Sequence, residues 1–316
     1  MARTIRLAAV SFRLHGVDHA KGVNLSAIRN IVHEMASDKP DFICFPEICA
    51  CAGGGVAGAV RNAIEHQPFI EEVGKLAREV GIALVIPFAE RADRQIFNSV
   101  PIVDSKGNHV LTYRKNYPTD QELAGGIDPG IDVPVGVCDG VRVGAAVCFD
   151  ACFPQVWHKL EEGRARVVFY PSEYWAGRYL HYYAMRFGYT IAVAYTGESA
   201  IVDMSGRHLV KQGMDSYFVR SKKLPPWALA EVNVDREVFH LDYNAEKLDA
   251  VRKKYGPGIT IEIFPEEDFC LLSSRLEKTT VEDIAAEFKM QTMRDYFARS
   301  MQQRDRVLRT HGRERT

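Results

Sequence analysis

Two spacings of apolar residues alternate along the first two-thirds of the chain. Short β-branched runs fit the two-residue repeat of a strand, and the stretches between them carry apolar positions three and four apart, the repeat of a helix. Residues 5–12 read as a strand. Over residues 24–35, Leu25, Ile28, Ile31, Val32 and Met35 fall on one helical face, and Pro40 ends the connection to a strand at 42–45. The Gly-rich stretch 51–58 reads as a loop, residues 64–80 as a second helix stopped at Gly81, and residues 82–86 as a strand. Residues 98–103 and 109–113 form a strand pair turned through Asp104-Ser105-Lys106-Gly107. A strand at 141–147, a helix at 153–162 and a strand at 167–170 capped by Pro171 follow, with further strand-like runs at 191–195, 200–203 and 228–234. This interleaving predicts an α/β sandwich rather than segregated helices and strands.

The C-terminal part differs. Residues 235–255 and 281–308 are long, charged and helix-like. The last segment carries Arg294, Arg299, Arg304, Arg306, Arg309, Arg313 and Arg315, but Glu282, Asp283, Glu287, Asp295, Asp305 and Glu314 interleave with them. That mixture predicts a solvated or subunit-bridging helix rather than a nucleic-acid-binding tail. Without an internal repeat or a low-complexity linker, residues 1–270 are expected to form one α/β domain and residues 271–316 a helical C-terminal extension.

Charge and composition narrow the function classes. Forty Lys and Arg against forty-one Asp and Glu leave a net charge of −1, so no global field draws the chain to nucleic acid or to a membrane surface. The apolar segment near the N-terminus is too short for a secretory signal, and no apolar run approaches the roughly 20 residues of a membrane span. A cytoplasmic location is expected. Seven cysteines, an odd number, then read as reduced thiols. The pairs Cys49/Cys51 and Cys148/Cys152 lack the repeated knuckle spacing of structural zinc, so neither metal nor cofactor is expected.

Three strands each end in a reactive side chain: Glu47 after Phe42-Ile43-Cys44-Phe45-Pro46, Lys115 after Leu111-Thr112-Tyr113-Arg114, and Cys148 after Val143-Gly144-Ala145-Ala146-Val147. Ligands of α/β sheets bind beyond strand ends, where such residues converge. A neutral thiol is a poor nucleophile. Glu47 can take its proton, Lys115 can favour thiolate, and Lys115 with the Phe149 N–H can hold the oxyanion formed on an amide carbonyl. Taken singly, Cys148 reads rather as a small core residue, and Glu47 and Lys115 as ordinary surface charges.

Together these residues belong to a longer series. Phe45-Pro46-Glu47, Phe97-Asn98-Ser99 with Gly107 and Tyr113-Arg114-Lys115, Pro129-Gly130, and Val143-Gly144-Ala145-Ala146-Val147-Cys148-Phe149-Asp150 with Phe153-Pro154 resemble, in order and spacing, the signature blocks of the carbon–nitrogen hydrolase (nitrilase) superfamily. The resemblance implies a four-layer αββα sandwich, a homodimer or larger assembly, and a small-molecule substrate. It implies a second carboxylate after the lysine, for which Glu122 is the candidate and Asp120 the rival. The Cys-Phe-Asp wording favours amides and N-carbamoyl amines over nitriles. Tyr117, Phe149, Ser172, Glu173 and Trp175 are the expected substrate contacts. Cys152 and Gln155 stand where many relatives carry Arg and Glu, so an ion pair that braces the nucleophile turn is expected to be missing. Nitrile hydrolysis, acyl transfer by the same thiol, and a non-catalytic scaffold are the alternatives.

Overall fold

The computed structural model describes residues 4–12, 23–51, 53–216, 219–220 and 224–310. The N-terminal three residues and Arg313, Glu314 and Arg315 of the charged tail lie outside them. Two compact units divide the chain, Ile5–Val232 and Asn233–Thr316 with Met1–Thr4.

Central strands of the first unit, Phe42–Cys44, Ala83–Val85 and Val167–Ser172, are buried on both faces because each face meets another layer. Among the described residues, an eight-stranded sheet runs Trp227–Asn233, Thr4–Val10, Phe42–Cys44, Ala83–Val85, Gln95–Val103, Phe88–Ala92, Ile64–Glu65, with His109–Arg114 also paired to Gln95–Val103. A six-stranded sheet runs His208–Gln212, Ser199–Val202, Thr190–Tyr195, Val167–Ser172, Val141–Ala145, Gly136–Cys138. The pleat of Phe42–Cys44 turns Phe42 toward Phe169 of the other sheet, ring centroids 5.8 Å apart. It turns Ile43 the other way, into a cluster with Ile28, Val32 and Met35 of the helix Val23–Met35 and Phe69, Val73 and Leu76 of the helix His66–Val80. Behind the second sheet, Tyr170 meets Trp157 of the helix Pro154–Glu162, and Trp157 stacks at 4.4 Å on Tyr183 of the helix Arg178–Phe187. The order is helix, sheet, sheet, helix, the four-layer αββα sandwich expected. Burial of each large apolar side chain contributes about 1.5–3 kcal/mol.

The helix His66–Val80 ends where Gly81 adopts φ 69°, and the turn glycine Gly107, at φ 82°, lies so close to this helix that an added Cβ would stand 2.3 Å from the Gly74 carbonyl. Residues 51–58, read as a loop, hold the start of the helix Gly55–Arg61, which turns Ala59 into the core; Ala52 lies outside the described residues. The strand Val167–Ser172 runs through Pro171 rather than stopping there. Its neighbour Val141–Ala145 pairs only with Val167, Val168 and Phe169, so the missing proline N–H breaks no ladder bond on that side.

In the second unit, Arg236–His240, Phe269–Ser274 and Ile259–Phe264 form an antiparallel sheet. Phe239, Val251, Leu272 and Ile284 lie in its core. Part of the stretch 235–255 read as helix is therefore the strand Arg236–His240, and the rest is two short 3-10 turns, Leu241–Tyr243 and Ala245–Lys247, and the α-helix Leu248–Tyr255. The segment read as one helix from 281 to 308 is two, Val281–Glu287 and Met293–Thr310. Between them Lys289 adopts φ 49° while Met290 enters the core. Thr280 and Thr292 each cap the helix that follows. The C-terminal region is thus helical as expected, and the unit that holds it also contains a sheet. No described helix is long and apolar enough to cross a membrane.

Candidate active site

Glu47 leaves the strand Phe42–Cys44 through Pro46, and Ile48 behind it adopts φ 51°, rare for a β-branched residue. Lys115 follows His109–Arg114 directly. Its N–H donates to the Asn98 carbonyl and its carbonyl accepts from the Gly130 N–H, both at 2.8 Å. A Cβ on Gly130 would stand 2.3 Å from the Arg114 carbonyl, so this contact requires glycine. Arg114 projects to the opposite face of the strand, where its guanidinium donates to the fully buried Glu90 carboxylate at 2.6 and 2.9 Å. The Ser99 hydroxyl donates to the same carboxylate at 2.5 Å. Glu90 thereby locks the pairs Asn98-Ser99 and Arg114-Lys115 in register.

On the inner face Lys115 Nζ lies 2.8 Å from Glu47 Oε1 and 2.7 Å from Glu122 Oε2. Asn98 Nδ2 donates to Glu47 Oε1 at 2.8 Å and to Glu122 Oε1 at 3.0 Å. The Glu173 N–H donates to Glu47 Oε2 at 2.9 Å. Burial favours neutral forms, but two adjacent carboxylates and the Cys148 sulfur overcome it at Lys115 and hold its ammonium well above the usual range. Burial likewise pushes Glu122 up, and Lys115 outweighs it to bring the carboxyl below its ordinary value. Glu122 is placed by its own helix, Asp120–Ala124: its carboxylate accepts the Thr119 N–H at 2.8 Å, half of a capping box. Asp120 on the same helix is exposed. The geometry brings Glu122, not Asp120, to the lysine.

Cys148 sits on a turn between the strand Val141–Ala145 and the helix Pro154–Glu162, with φ 47°. A left-handed conformation costs a non-glycine residue about 1–2 kcal/mol and here aims the thiol out of the turn. The Tyr170 hydroxyl fixes the Cys148 carbonyl at 2.5 Å. Burial first, then the facing Glu47 carboxylate, hold the thiol well above its ordinary range, and Lys115 and the Ser172 hydroxyl do not reverse this. Burial and the facing Glu47 carboxylate thus favour the neutral thiol. Lys115 acts in the thiolate's favour, but burial and Glu47 outweigh it.

The nucleophile turn is also braced, by different groups from the ion pair expected to be missing. Asp150 is fully buried; its Oδ2 accepts the Val147 N–H at 2.8 Å and the Tyr113 hydroxyl at 2.6 Å, and its Oδ1 accepts the Tyr117 N–H at 3.0 Å. The Trp157 indole N–H donates to its carbonyl at 3.0 Å.

Glu47, Lys115, Glu122 and Cys148 open on one cleft of about 470 Å³. Phe12, Ile48 and Val56 give it an apolar side, and Thr119, Gln121 and Glu173 a polar one. Of the five expected substrate contacts, Glu173 lines this cleft. Ser172 is buried beside the thiol, its hydroxyl bonded to the Tyr174 backbone. Tyr117 and Phe149 pack on Phe153, at 3.7 and 5.2 Å between rings, and Trp175 packs on Tyr195 and Lys211. None of these four is among the residues lining the cleft. Asn98 received no role from the sequence, although a lone amide between Phe97 and Ser99 on a buried strand is a polar group that needs partners.

The family described as carbon-nitrogen hydrolase matches residues 6–217. A protein of Pseudomonas protegens described as the hydrolase in the pqqF 5′ region is 24% identical over 222 residues, 62% of this chain and 75% of that one. The N-carbamoylputrescine amidase of Arabidopsis thaliana is 29% identical over 172 residues, 52% of each chain, so this chain spans about half the length of that relative. Among solved structures, a mutant of the amidase from Nesterenkonia sp. AN1 aligns with a TM-score of 0.59 at 18% identity, covering 79% of this chain and 96% of that one. That structure is described as showing covalent addition of the acetamide moiety of fluoroacetamide at the active site cysteine. At this identity the likeness is one of fold.

Proposed function

Since the chain belongs to the carbon-nitrogen hydrolase family, we propose that it hydrolyses a small amide or N-carbamoyl amine through a thioester on Cys148. The observation that carries the reading is the convergence of Cys148, Glu47, Lys115 and Glu122 on one cleft, with Lys115 hydrogen-bonded to both carboxylates. As the sulfur attacks the carbonyl carbon, the thiol proton passes to Glu47. The charge that develops on oxygen is met by Lys115 Nζ and the Phe149 N–H. Collapse breaks the carbon–nitrogen bond, and the leaving amine takes the proton from Glu47. Water then attacks the thioester, giving its proton to Glu47 and releasing the acid and the thiol. Glu122 orients Lys115 and, with Asn98, fixes the Glu47 carboxylate.

Ammonia release from a panel of primary amides, N-carbamoyl amines and nitriles tests the substrate class. The reading expects turnover of members of the first two groups and none of nitriles. Turnover of nitriles alone would contradict it.

A further inference from the structure

We propose that Asp150 is a positioning residue, whose ionised carboxylate holds the strained Cys148 turn against the segment that carries Lys115. The proposal rests on the thiol-hydrolase reading above for its catalytic consequence, and on geometry for the clamp itself. Three donors converge on this one carboxylate. The Val147 N–H belongs to the residue before the nucleophile, while the Tyr113 hydroxyl and the Tyr117 N–H stand two residues before and two after Lys115. Asp150 is therefore the shared acceptor of the two chain segments that must meet to make the site. It is fully buried and does not line the cleft, so it acts on the reaction through Cys148 and Lys115.

The clamp needs an acceptor at every contact. The Tyr113 oxygen already accepts the Asn116 N–H at 3.1 Å, so its own proton is directed at Asp150. Protonating Asp150 removes the charge that strengthens all three contacts, so each of them weakens even though the proton can occupy the one acceptor site that no donor fills. The titratable groups around it are Tyr113, Lys115 and Tyr117 on the lysine segment, Cys148 on its own turn, Tyr170 on the strand Val167–Ser172, and Tyr183, which donates to the adjacent Ala151 carbonyl. Of these, Lys115 carries the charge at neutral pH. Burial pushes the Asp150 carboxyl up to about 6, with Tyr113, Val147, Lys115 and Tyr117 opposing the rise. The clamp is closed at neutral pH and loosens on mild acidification.

Two measurements test this. The first is hydrogen exchange at the Val147 and Tyr117 amides of the wild-type protein across the acid range, corrected for intrinsic exchange, and it needs no substrate. Protection is expected to fall as pH drops through about 6. The second is the pH dependence of kcat in the wild type and in Tyr113→Phe. Losing a hydrogen bond that favours the carboxylate should move the acid limb upward by about 1 pH unit, with KM changing less than kcat. An acid limb from Glu122 would stay in place, because Glu122 does not contact the Tyr113 hydroxyl, so only a limb due to Asp150 moves. Flat protection across the range, or an acid limb that stays in place in Tyr113→Phe, overturns the proposal. If no amide is turned over while protection still follows pH, the clamp stands and the hydrolase reading fails.

Discussion

Replacing Lys115 with Met keeps the length of the side chain and removes its charge, leaving Glu47 and Glu122 buried, both bonded to Asn98 Nδ2, with no cation between them. Breaking a buried charge cluster by deleting one partner costs about 3–5 kcal/mol. The unit concerned is Ile5–Val232. In a domain of that size 1 kcal/mol moves Tm by about 2–4 °C, so the loss should be about 6–20 °C. The loss must also depend on pH. In the wild type Glu122 is held below its ordinary value, so its stabilisation is present above the unfolded carboxyl pKa and disappears as pH falls through the lower folded value. In Lys115→Met the strongest opposing group is gone, and burial and the neighbouring Glu47 raise the carboxyl against the Thr119 and Asn98 hydrogen bonds alone, so the variant gains stability relative to the wild type as pH falls. Lys115 itself, raised above its usual range, stays charged throughout and adds no slope. Thermal melts at about pH 8 and about pH 5 should therefore show the larger Tm gap at the higher pH. An equal gap at both, or a variant as stable as the wild type at the higher pH, would refute the description of this cluster as a buried ionic network.

Glu122→Gln retains size, but Asn98, Lys115 and Thr119 all donate to this carboxylate, so the new amide group must face at least one donor. Acylation of Cys148 should still be detectable by mass while kcat falls about 10²-fold through misalignment; wild-type turnover would remove Glu122 from the site. Asn98→Leu preserves shape and removes the donor shared by Glu47 and Glu122. It should lower kcat more than KM, and an unchanged kcat would assign Asn98 to packing alone.

The layers of the first unit were readable in the sequence because the strands and helices there obey clean two- and 3.6-residue repeats, punctuated by Gly81, Gly107 and Pro154. Where composition and period disagreed, the reading slipped. Four glycines at 53–55 and 58 masked the helix Gly55–Arg61, whose Val56, Ala59 and Val60 keep helical spacing. Charge in Arg236–His240 masked a strand held by pairing to Phe269–Ser274, a partner distant in sequence. The break before Met293 has no Gly or Pro to announce it and comes from Met290 entering the core. At the site, strand ends placed Glu47, Lys115 and Cys148 together, and the family resemblance implied Glu122. Asn98 and Asp150 could not be assigned, because their roles are hydrogen bonds across 24 to 51 residues and across 33 to 37 residues of chain. The charge state of the thiol was also out of reach, since it depends on burial that no local pattern reports.

The proposed reaction breaks a carbon–nitrogen bond on the sulfur of Cys148. Its most direct test is rapid acid quench of the enzyme turning over a slowly hydrolysed amide, followed by intact-mass and peptide analysis, with Cys148→Ala alongside. An acyl adduct is expected on the peptide containing Cys148, with neither adduct nor turnover in the variant. An adduct on another residue, or substantial turnover by Cys148→Ala, would contradict it.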